Sequence, residues 1–498
     1  MNYIGISCGF HDAALSVVDD KGEIKFAAHS ERYCGNKHTK HLNIGIVDDA
    51  IQYIDDRQDV EIHYYERPLM KYLRQLRAGE NPAIANLSTK NVIGEGLLYK
   101  LCDGLKPKIY THNHHLSHAA AGFQTSAFDD ATVVVIDAIG EFDTISIWDA
   151  KYVNGKAVYK KLWGKRYPDS IGLFYSAMTK RVGLLPLDEE YILMGMAAYG
   201  KPKHYAEMYC DLLESSVDLD FKHNLHIGVT DNFLPNADDI DIASSTQCLV
   251  EYMISTVMDR ARILGKSKNL VYGGGVALNC LANRLLGDYF KNIWIMPNPG
   301  DAGSSLGSAL LGYGGRVHFP NTYLGHNIPG NYPVDDLITE LLTKQIVGVA
   351  SGRAEFGPRA LGNRSLLADP RGNEIKDKVN EIKRRQKFRP FAPVILEEYV
   401  HQYFDMPNGF NNSRYMQVIA TCRHPDLFPA IVHHDGTSRV QTVPNDGSGI
   451  RQLLEAWHET TGCPMLLNTS LNIRGEPMVN TRFDADRFEA IYGIKVLS

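Results

Sequence analysis

Short stretches of alternating apolar and polar positions, separated by glycine- and aspartate-bearing turns, open the chain and return once further on. Over residues 3–29 the alternation predicts a three-stranded meander, 3–7, 14–18 and 23–28, with Gly9-Phe10-His11-Asp12 as a polar first turn and Asp19-Asp20-Lys21-Gly22 as the second. Residues 131–163 repeat this as 131–137, 144–148 and 157–163, with Gly140-Glu141-Phe142-Asp143 as the first turn and Asn154-Gly155 as the second. Two hairpin systems with comparable offsets predict two similar halves facing each other across a cleft, each giving its first turn to the floor. That is the layout of the actin-like ATPase folds, an inference by fold-level analogy.

A period near 3.6 predicts helices at 45–53, 91–105, 170–182, 191–199 and most clearly 245–264, where Leu249, Met253, Val257, Ala261 and Leu264 form one stripe. A short strand at 108–110 leads into His114-His115-Leu116-Ser117-His118. On a helix, His114 and His118 point from one face, the geometry by which two imidazoles hold one metal ion; an isolated H-x-x-x-H can equally cap or pack a surface helix. The run Val133-Val134-Val135-Ile136 closes on Asp137, whose carboxylate a strand would deliver to a sheet edge as a third ligand. Strand 269–272, the run Gly273-Gly274-Gly275 and a helix start at 276–279, ending on Asn279, place bare backbone N–H groups where a phosphate or ribose approaches. The same grammar recurs as strand 293–296, loop Pro297-Asn298-Pro299-Gly300-Asp301 and helix 302–311; Asp301 is there either a plain N-cap or a fourth ligand facing the histidines.

At 498 residues the chain exceeds one comfortable core, so two or three domains are expected, and a Pro-, Gly- and Asn-rich stretch at 319–335 marks a boundary. Apolar residues at 44% and charged residues at 22% are ordinary for a globular protein, and no apolar run approaches bilayer length. The first residues enter a strand pattern without a basic region, which predicts a cytoplasmic protein. Eight cysteines without a C-x-x-C pair argue against a zinc–cysteine site or a disulfide scaffold. The net charge of −6 gives no global attraction to nucleic acid, but it conceals a local reversal: residues 353–389 hold eleven Lys and Arg against five acids. Lys376 to Lys383 read as an ordinary solvated surface. Arg359, Arg364 and Arg389 are flanked by Gly, Pro or Asn in shaped loops, which suits an anion pocket, and Arg439 and the short polar groups around Ser470 extend the pattern.

Taken together, G-F-H-D, H-H-L-S-H-A-A, V-V-V-I-D, L-M-G-M-A-A-Y-G, G-G-G-V-A-L-N, P-G-D-A-G-S-S-L-G, F-G-P-R-A-L-G-N-R-S-L-L-A-D-P-R, F-R-P-F-A-P and N-T-S-L-N-I-R-G-E-P occur in order over nearly the whole chain. This set resembles the O-carbamoyltransferase family of nodulation and antibiotic-tailoring enzymes. The resemblance implies an α/β protein: a duplicated actin-like (ASKHA, Kae1-like) domain over 1–325 and an α/β YrdC-like domain over 335–498. It implies ATP-dependent transfer of the carbamoyl group of carbamoyl phosphate, through carbamoyl-adenylate, to a hydroxyl of a small-molecule acceptor. Carried over by residue, it implies an iron site at His114, His118, Asp137 and Asp301, a mixed N/O set that suits Fe(II) or Mn(II), with Mg accompanying ATP. The loop Gly273, Gly274, Gly275 with Asn279 is the implied nucleotide side of the first domain. Arg359, Arg364, Lys387, Arg389, Arg439 and Ser470 are the candidates for holding carbamoyl phosphate and ATP in the second. His11, with Asp12 beside it, is the candidate base that removes the acceptor proton; the alternative is that His11 only orders its turn. No membrane or nucleic-acid partner is expected, and a homodimer is possible. Two other readings are an actin-like small-molecule kinase, which leaves the histidine pair and the basic segment without a role, and a threonylcarbamoyl-transfer protein acting on tRNA, for which a basic, aromatic-interleaved face is lacking.

Overall fold

The structure is a computed structural model that describes residues 1–230, 232–372, 374–386, 389 and 391–498. The chain divides into two compact units, Met1–Phe26 with Lys40–Phe319, and Ala27–Thr39 with Pro320–Ser498.

In the first unit's chain, β1 (Asn2–Ser7), β2 (Ala14–Asp19), β3 (Ile24–His29), β4 (Val60–Tyr64) and β5 (Lys108–Thr111) make a five-stranded sheet in the order β3-β2-β1-β4-β5. β1 and β2 are antiparallel, whereas β1 with β4 and β4 with β5 are parallel. A second sheet contains β6 (Asp130–Gly140), β7 (Asp143–Val153), β8 (Lys156–Arg166), β9 (Asn269–Gly273) and β10 (Asn292–Ile295), in the order β10-β9-β6-β7-β8. β6, β7 and β8 form the antiparallel meander, and β9 runs parallel to both β6 and β10. Read from its meander edge, each sheet has the same strand order, so the duplication expected from the two meanders is present. It extends to the backbone of the first turns, where a non-glycine residue holds a positive φ in each: Asp12 at 51° and Glu141 at 58°.

Four helices bear on the site: α1 (Pro68–Arg77), α2 (His114–Thr125), α3 (Asp239–Leu264) and α4 (Gly303–Tyr313). α4 approaches its neighbours closely because small residues line it. A Cβ at Gly307 would lie 1.8 Å from the carbonyl oxygen of Ser117 in α2, and one at Gly5 would lie 1.7 Å from that of Ser305 in α4. The contacts so permitted are polar and buried: Ser16 with Ser305 (Oγ to Oγ, 2.8 Å), and Ser308 Oγ donating to the His63 carbonyl at 2.9 Å. These bonds fix α4 on both sheet and helix, so the residue at its head, Asp301, is set against α2.

Two expected helices differ. The 91–105 helix is broken into Thr89–Ile93 and Glu95–Leu101 because Gly94, at φ 102°, leaves the helical region. α3 begins six residues before the expected start at 245, at Asp239, where the Asp238 side chain accepts from Ile240 N at 3.3 Å and Asp239 and Asp241 complement the helix dipole.

In the second unit, β11 (Ile346–Ala350), β12 (Arg364–Ala368), β13 (Ala392–Leu396), β14 (Gln441–Val443), β15 (Met465–Ser470) and β16 (Val496–Leu497) form a mixed six-stranded sheet, β14-β13-β15-β12-β11-β16. Its core includes Val347, Leu366, Val394, Leu466 and Trp457. Segment 27–39 belongs here because the guanidinium of buried Arg32 donates to the carbonyls of Glu355 at 2.6 Å and Gly357 at 2.7 Å. Among the described residues no helix is long and apolar enough to cross a membrane.

Candidate functional site

α2 starts where Asn113 accepts from Leu116 N at 3.0 Å, and this cap orients the first turn that carries His114 and His118. Their Nε2 atoms lie 3.1 Å apart, and each is 3.3 Å from Oδ1 of Asp301. Asp137 reaches the same space from β6, with Oδ2 at 3.3 Å from His114 Nε2 and 3.9 Å from His118 Nε2. All four side chains are buried, and one ligand atom from each lies within 4.8 Å of the others. The loop after β9 is locked to this cluster: Gly275 N donates to Asp137 Oδ1 at 3.1 Å, and a Cβ at Gly274 (φ 87°) would meet the Ile136 carbonyl oxygen at 2.2 Å. Glycine is required there by both space and conformation.

The donor set fits a divalent cation. Two imidazole nitrogens and two carboxylates converge with lone pairs facing one another, and separations of 3.1 to 3.9 Å suit ligands around an ion with bonds of ~2 Å. Without a cation the charges bias one another strongly. Burial disfavours the charged form of His114, yet Asp301, Asp137 and Glu66 hold its proton well above the usual imidazole range. Burial pushes Asp301 up, but His114 and His11 more than offset this and hold it well below the usual carboxylate range. Asp137 is opposed by burial and Asp301 but brought down to about 2 by His114 and His118.

His11 sits at the rim. Its Nδ1 is 2.8 Å from Asp12 Oδ2 and its Nε2 is 3.7 Å from Asp301 Oδ2, with 26% of the side chain exposed. Burial lowers its basicity, but Asp301 and Asp12 outweigh that and push it up to about 9. Asn279 is inward-facing: its amide exchanges hydrogen bonds with Gln247 at 3.1 and 3.0 Å and caps Ala282 N at 3.0 Å, so it braces the loop from behind.

The second unit sorts its candidates differently. Arg364 is fully buried, and its guanidinium donates to the carbonyls of Asn480, Ser351, Asn363, His326 and Gly352 at 2.8 to 3.2 Å, so it ties loops together and has no donor left for an anion. Ser470 ends β15 beside Lys383, which by sequence falls in a solvated stretch. Buried Lys383 Nζ contacts the Ser470 carbonyl at 2.5 Å, Ser470 Oγ at 3.1 Å, the Asn472 carbonyl at 2.9 Å and Asn472 Oδ1 at 2.7 Å. Burial, then Arg385 and Arg389, hold its ammonium well below the usual range. Arg389 is thereby near this strand end; Arg359 is half-buried in its loop; Arg439 lies in a separate three-stranded sheet, paired with Ile419. Lys387 lies outside the described residues.

The sequence reading also missed Glu66 and Asn113. Buried Glu66, two residues past β4, binds Lys71 Nζ at 2.6 Å and lies 3.6 Å from His114 Nδ1, on the far side of the ring from the cluster. Asn113 was legible as an N-cap; Glu66 carried no local signal.

The chain matches the model for the carbamoyltransferase N-terminus over residues 2–310 and that for the carbamoyltransferase C-terminus over 338–498. It belongs to the carbamoyltransferase family. An uncharacterized protein of Synechocystis is 34% identical across 97% of this chain and 93% of its own length. Nodulation protein NolNO of Sinorhizobium fredii is 30% identical across 95% of this chain and 76% of its own. The 3'-hydroxymethylcephem-O-carbamoyltransferase of Amycolatopsis lactamdurans is 30% identical across 76% and 78%. Among solved structures, component A of (R)-2-hydroxyglutaryl-CoA dehydratase from Acidaminococcus fermentans aligns at 16% identity and a TM-score of 0.36, covering 63% of this chain and 98% of that one.

Proposed function

We propose that this carbamoyltransferase couples two half-reactions, adenylation of a carbamoyl group in the second unit and its transfer to a hydroxyl of a small molecule in the first. In the first half-reaction, carbamoyl phosphate and water give carbamate and inorganic phosphate. A carbamate oxygen then attacks the α-phosphorus of ATP and pyrophosphate leaves. In the second, the acceptor oxygen attacks the carbamoyl carbon, the bond to the adenylate oxygen breaks, AMP leaves and the acceptor proton passes to a base. Two strong polyanions call for guanidinium and ammonium groups, and the segment around Arg359, Arg389, Lys383 and Ser470, read as a YrdC-like site, is our candidate for holding them.

The observation that carries this reading is the convergence of His114, His118, Asp137 and Asp301 in a chain whose two halves match the two carbamoyltransferase models. These residues would hold a divalent cation, Fe(II) or Mn(II) by the N/O donor set, and such an ion supplies Lewis-acid polarisation of an oxygen. The glycine loop 273–275 would receive the nucleotide, its backbone held rigid by the bond from Gly275 to Asp137. With the Asp301 charge that raises His11 offset by a cation at the cluster, the ring, neutral in that state, would take the acceptor proton, with Asp12 fixing it through Nδ1 and leaving Nε2 as the working atom.

The test is pyrophosphate release from the purified chain given ATP, Mg, Fe(II) and carbamoyl phosphate, with mass spectrometry for carbamoyl-AMP. Release that depends on carbamoyl phosphate supports adenylation. ADP in place of pyrophosphate would move an actin-like kinase to the front.

A further inference from the structure

Two adjoining cavities open beside the metal cluster, both in the first unit. One, of about 330 Å³, is lined by Arg67, Asn113, Glu141, Phe142 and Trp148 among others. The second, of about 400 Å³, shares Phe142 and Arg166 with the first and extends to Arg77 at the end of α1. Their inner end is tied to the histidines. Asn113 immediately precedes His114, and Gly140 lies so close that a Cβ there would meet His114 Cδ2 at 2.6 Å. Trp148 Nε1 donates to Ser146 Oγ at 2.8 Å, the same hydroxyl that contacts His115 Nδ1 at 2.8 Å.

The charges along this groove do not balance. Three carboxylates and five cations line it, and each carboxylate already has a partner. Glu141 is gripped by Arg67 Nε and Nη2 at 3.0 and 2.5 Å, Asp143 by Lys161 at 2.7 Å, and Asp169 accepts from Phe221 N at 2.8 Å with Lys165 at 3.7 Å. Arg166 and Arg77 remain, and among the described residues neither guanidinium makes an ion pair or a hydrogen bond. Arg166 is nonetheless oriented, its guanidinium carbon 4.9 Å from the centre of the Phe142 ring. A guanidinium held against a ring at the junction of two cavities, with a second lining the outer one, matches a planar oxyanion on a ligand that spans both.

We infer that the groove is the acceptor site and that the acceptor is an acidic polyhydroxyl compound, its anionic group taken by Arg166 and Arg77 and its reacting hydroxyl directed inward toward Asn113 and His114. The inference rests on the carbamoyltransferase reading above and adds the acceptor's chemical class to it. Polar walls and ring faces at Phe142 and Trp148 suit a sugar-like body, whose hydroxyls bond to side chains while its C–H faces lie on aromatic rings.

The probes are glucuronate and glucose, which differ at one carbon, titrated calorimetrically into the full chain loaded with Mn(II) at low salt. Glucuronate is expected to bind about tenfold or more tightly than glucose, a preference that weakens at high salt. R166Q and R77Q should each remove most of it, and R166K should keep part of it while losing the planar fork. Thermal unfolding of each variant confirms that it is folded. Absence of a preference in the wild-type chain, whether both sugars bind or neither does, overturns the inference, as does a preference that survives in the R77Q/R166Q double variant. Because binding is read without turnover, that failure is separable from failure of the carbamoyltransferase reading, which pyrophosphate release by the wild-type chain decides.

Discussion

The first unit holds two imidazole pairs of nearly equal closeness and opposite character, one buried and the other partly so. His114 and His118 meet through Nε2 atoms at 3.1 Å, and His63 Nδ1 and His112 Nε2 meet at 2.9 Å. Around the first pair stand Asp137, Asp301 and Glu66, which hold the His114 proton well above the usual range despite burial. Around the second, burial, and for His63 then the neighbouring ring, push His63 down to about 3 and His112 to about 4. The nearest carboxylate, that of Glu61, is 3.7 Å from His63 Nε2 and is shared with Tyr110 and Lys108. Proximity of imidazoles therefore does not make a ligand set. Carboxylates aimed at the same nitrogens do, because they supply the negative charge that a cation needs to leave water.

The largest effect expected from that difference is on metal content. His118→Ala should reduce bound metal to background, measured by elemental analysis of protein reconstituted with Fe(II) or Mn(II), and abolish carbamoyl transfer. His112→Ala should leave the metal stoichiometry unchanged. Equal loss in both variants would erase the distinction drawn between the pairs.

Arginines carry a related contrast into the second unit, between half-buried Arg359 and Arg364, which is fully buried and engaged by the chain's own backbone. Arg364→Met would take the guanidinium from five carbonyls, of which that of Asn363 alone is known to keep another donor, Ser351 N at 3.1 Å, and a loss of about 3–5 kcal/mol is expected in urea unfolding. Arg359→Met, on a half-buried side chain, should cost about 1 kcal/mol or less while weakening carbamoyl-phosphate-dependent pyrophosphate release. If Arg364→Met unfolded at the wild-type urea concentration, the brace would be the wrong description of it.

What could be read in the sequence followed the range of the interaction. The spacing of His114 and His118, the β-branched run ending in Asp137 and the duplicated turns are local, so period and turn chemistry were enough to place them. Asp301 was left open between cap and ligand because its partner lies far along the chain, and the stripe of small residues that sets α4 against α2 decides the matter. Arg364 and Lys383 were misjudged for the same reason. Flanking glycines showed that Arg364 lies in a shaped loop but not that the loop closes around it, and the helical surroundings of Lys383 gave no sign that Asn472 would draw its ammonium inward. Glu66 has no motif at all; it matters because β4 ends beneath His114.

Glu66 offers a smaller and sharper test. A carboxylate behind a liganding imidazole favours the tautomer with the proton on Nδ1, which leaves Nε2 free for metal. Glu66→Gln retains the shape and removes the charge, and metal affinity should fall by about 10–100-fold in chelator competition without loss of the folded state. Unchanged affinity would reduce Glu66 to a partner of Lys71.

The smallest effect belongs to the other pair and concerns stability alone. In the unfolded chain His63 and His112 titrate near 6.5, whereas in the folded chain they resist protonation until about 3 and about 4. Between those limits the unfolded state binds protons that the native state refuses, so stability rises with pH. The contribution is fully present above about pH 6.5 and is lost progressively as pH falls toward the folded values, at no more than about 1.4 kcal/mol per pH unit for each imidazole. His112→Gln removes one titrating ring and the charge that would oppose protonation of the other. Urea unfolding of the Mn(II)-saturated protein between pH 5 and 7 should therefore show a shallower decline for His112→Gln than for the wild-type chain, by up to about 1.4 kcal/mol per pH unit. Parallel curves would mean that His112 takes up its proton in the folded state as readily as in water, and burial would then not be what separates this pair from the candidate metal ligands.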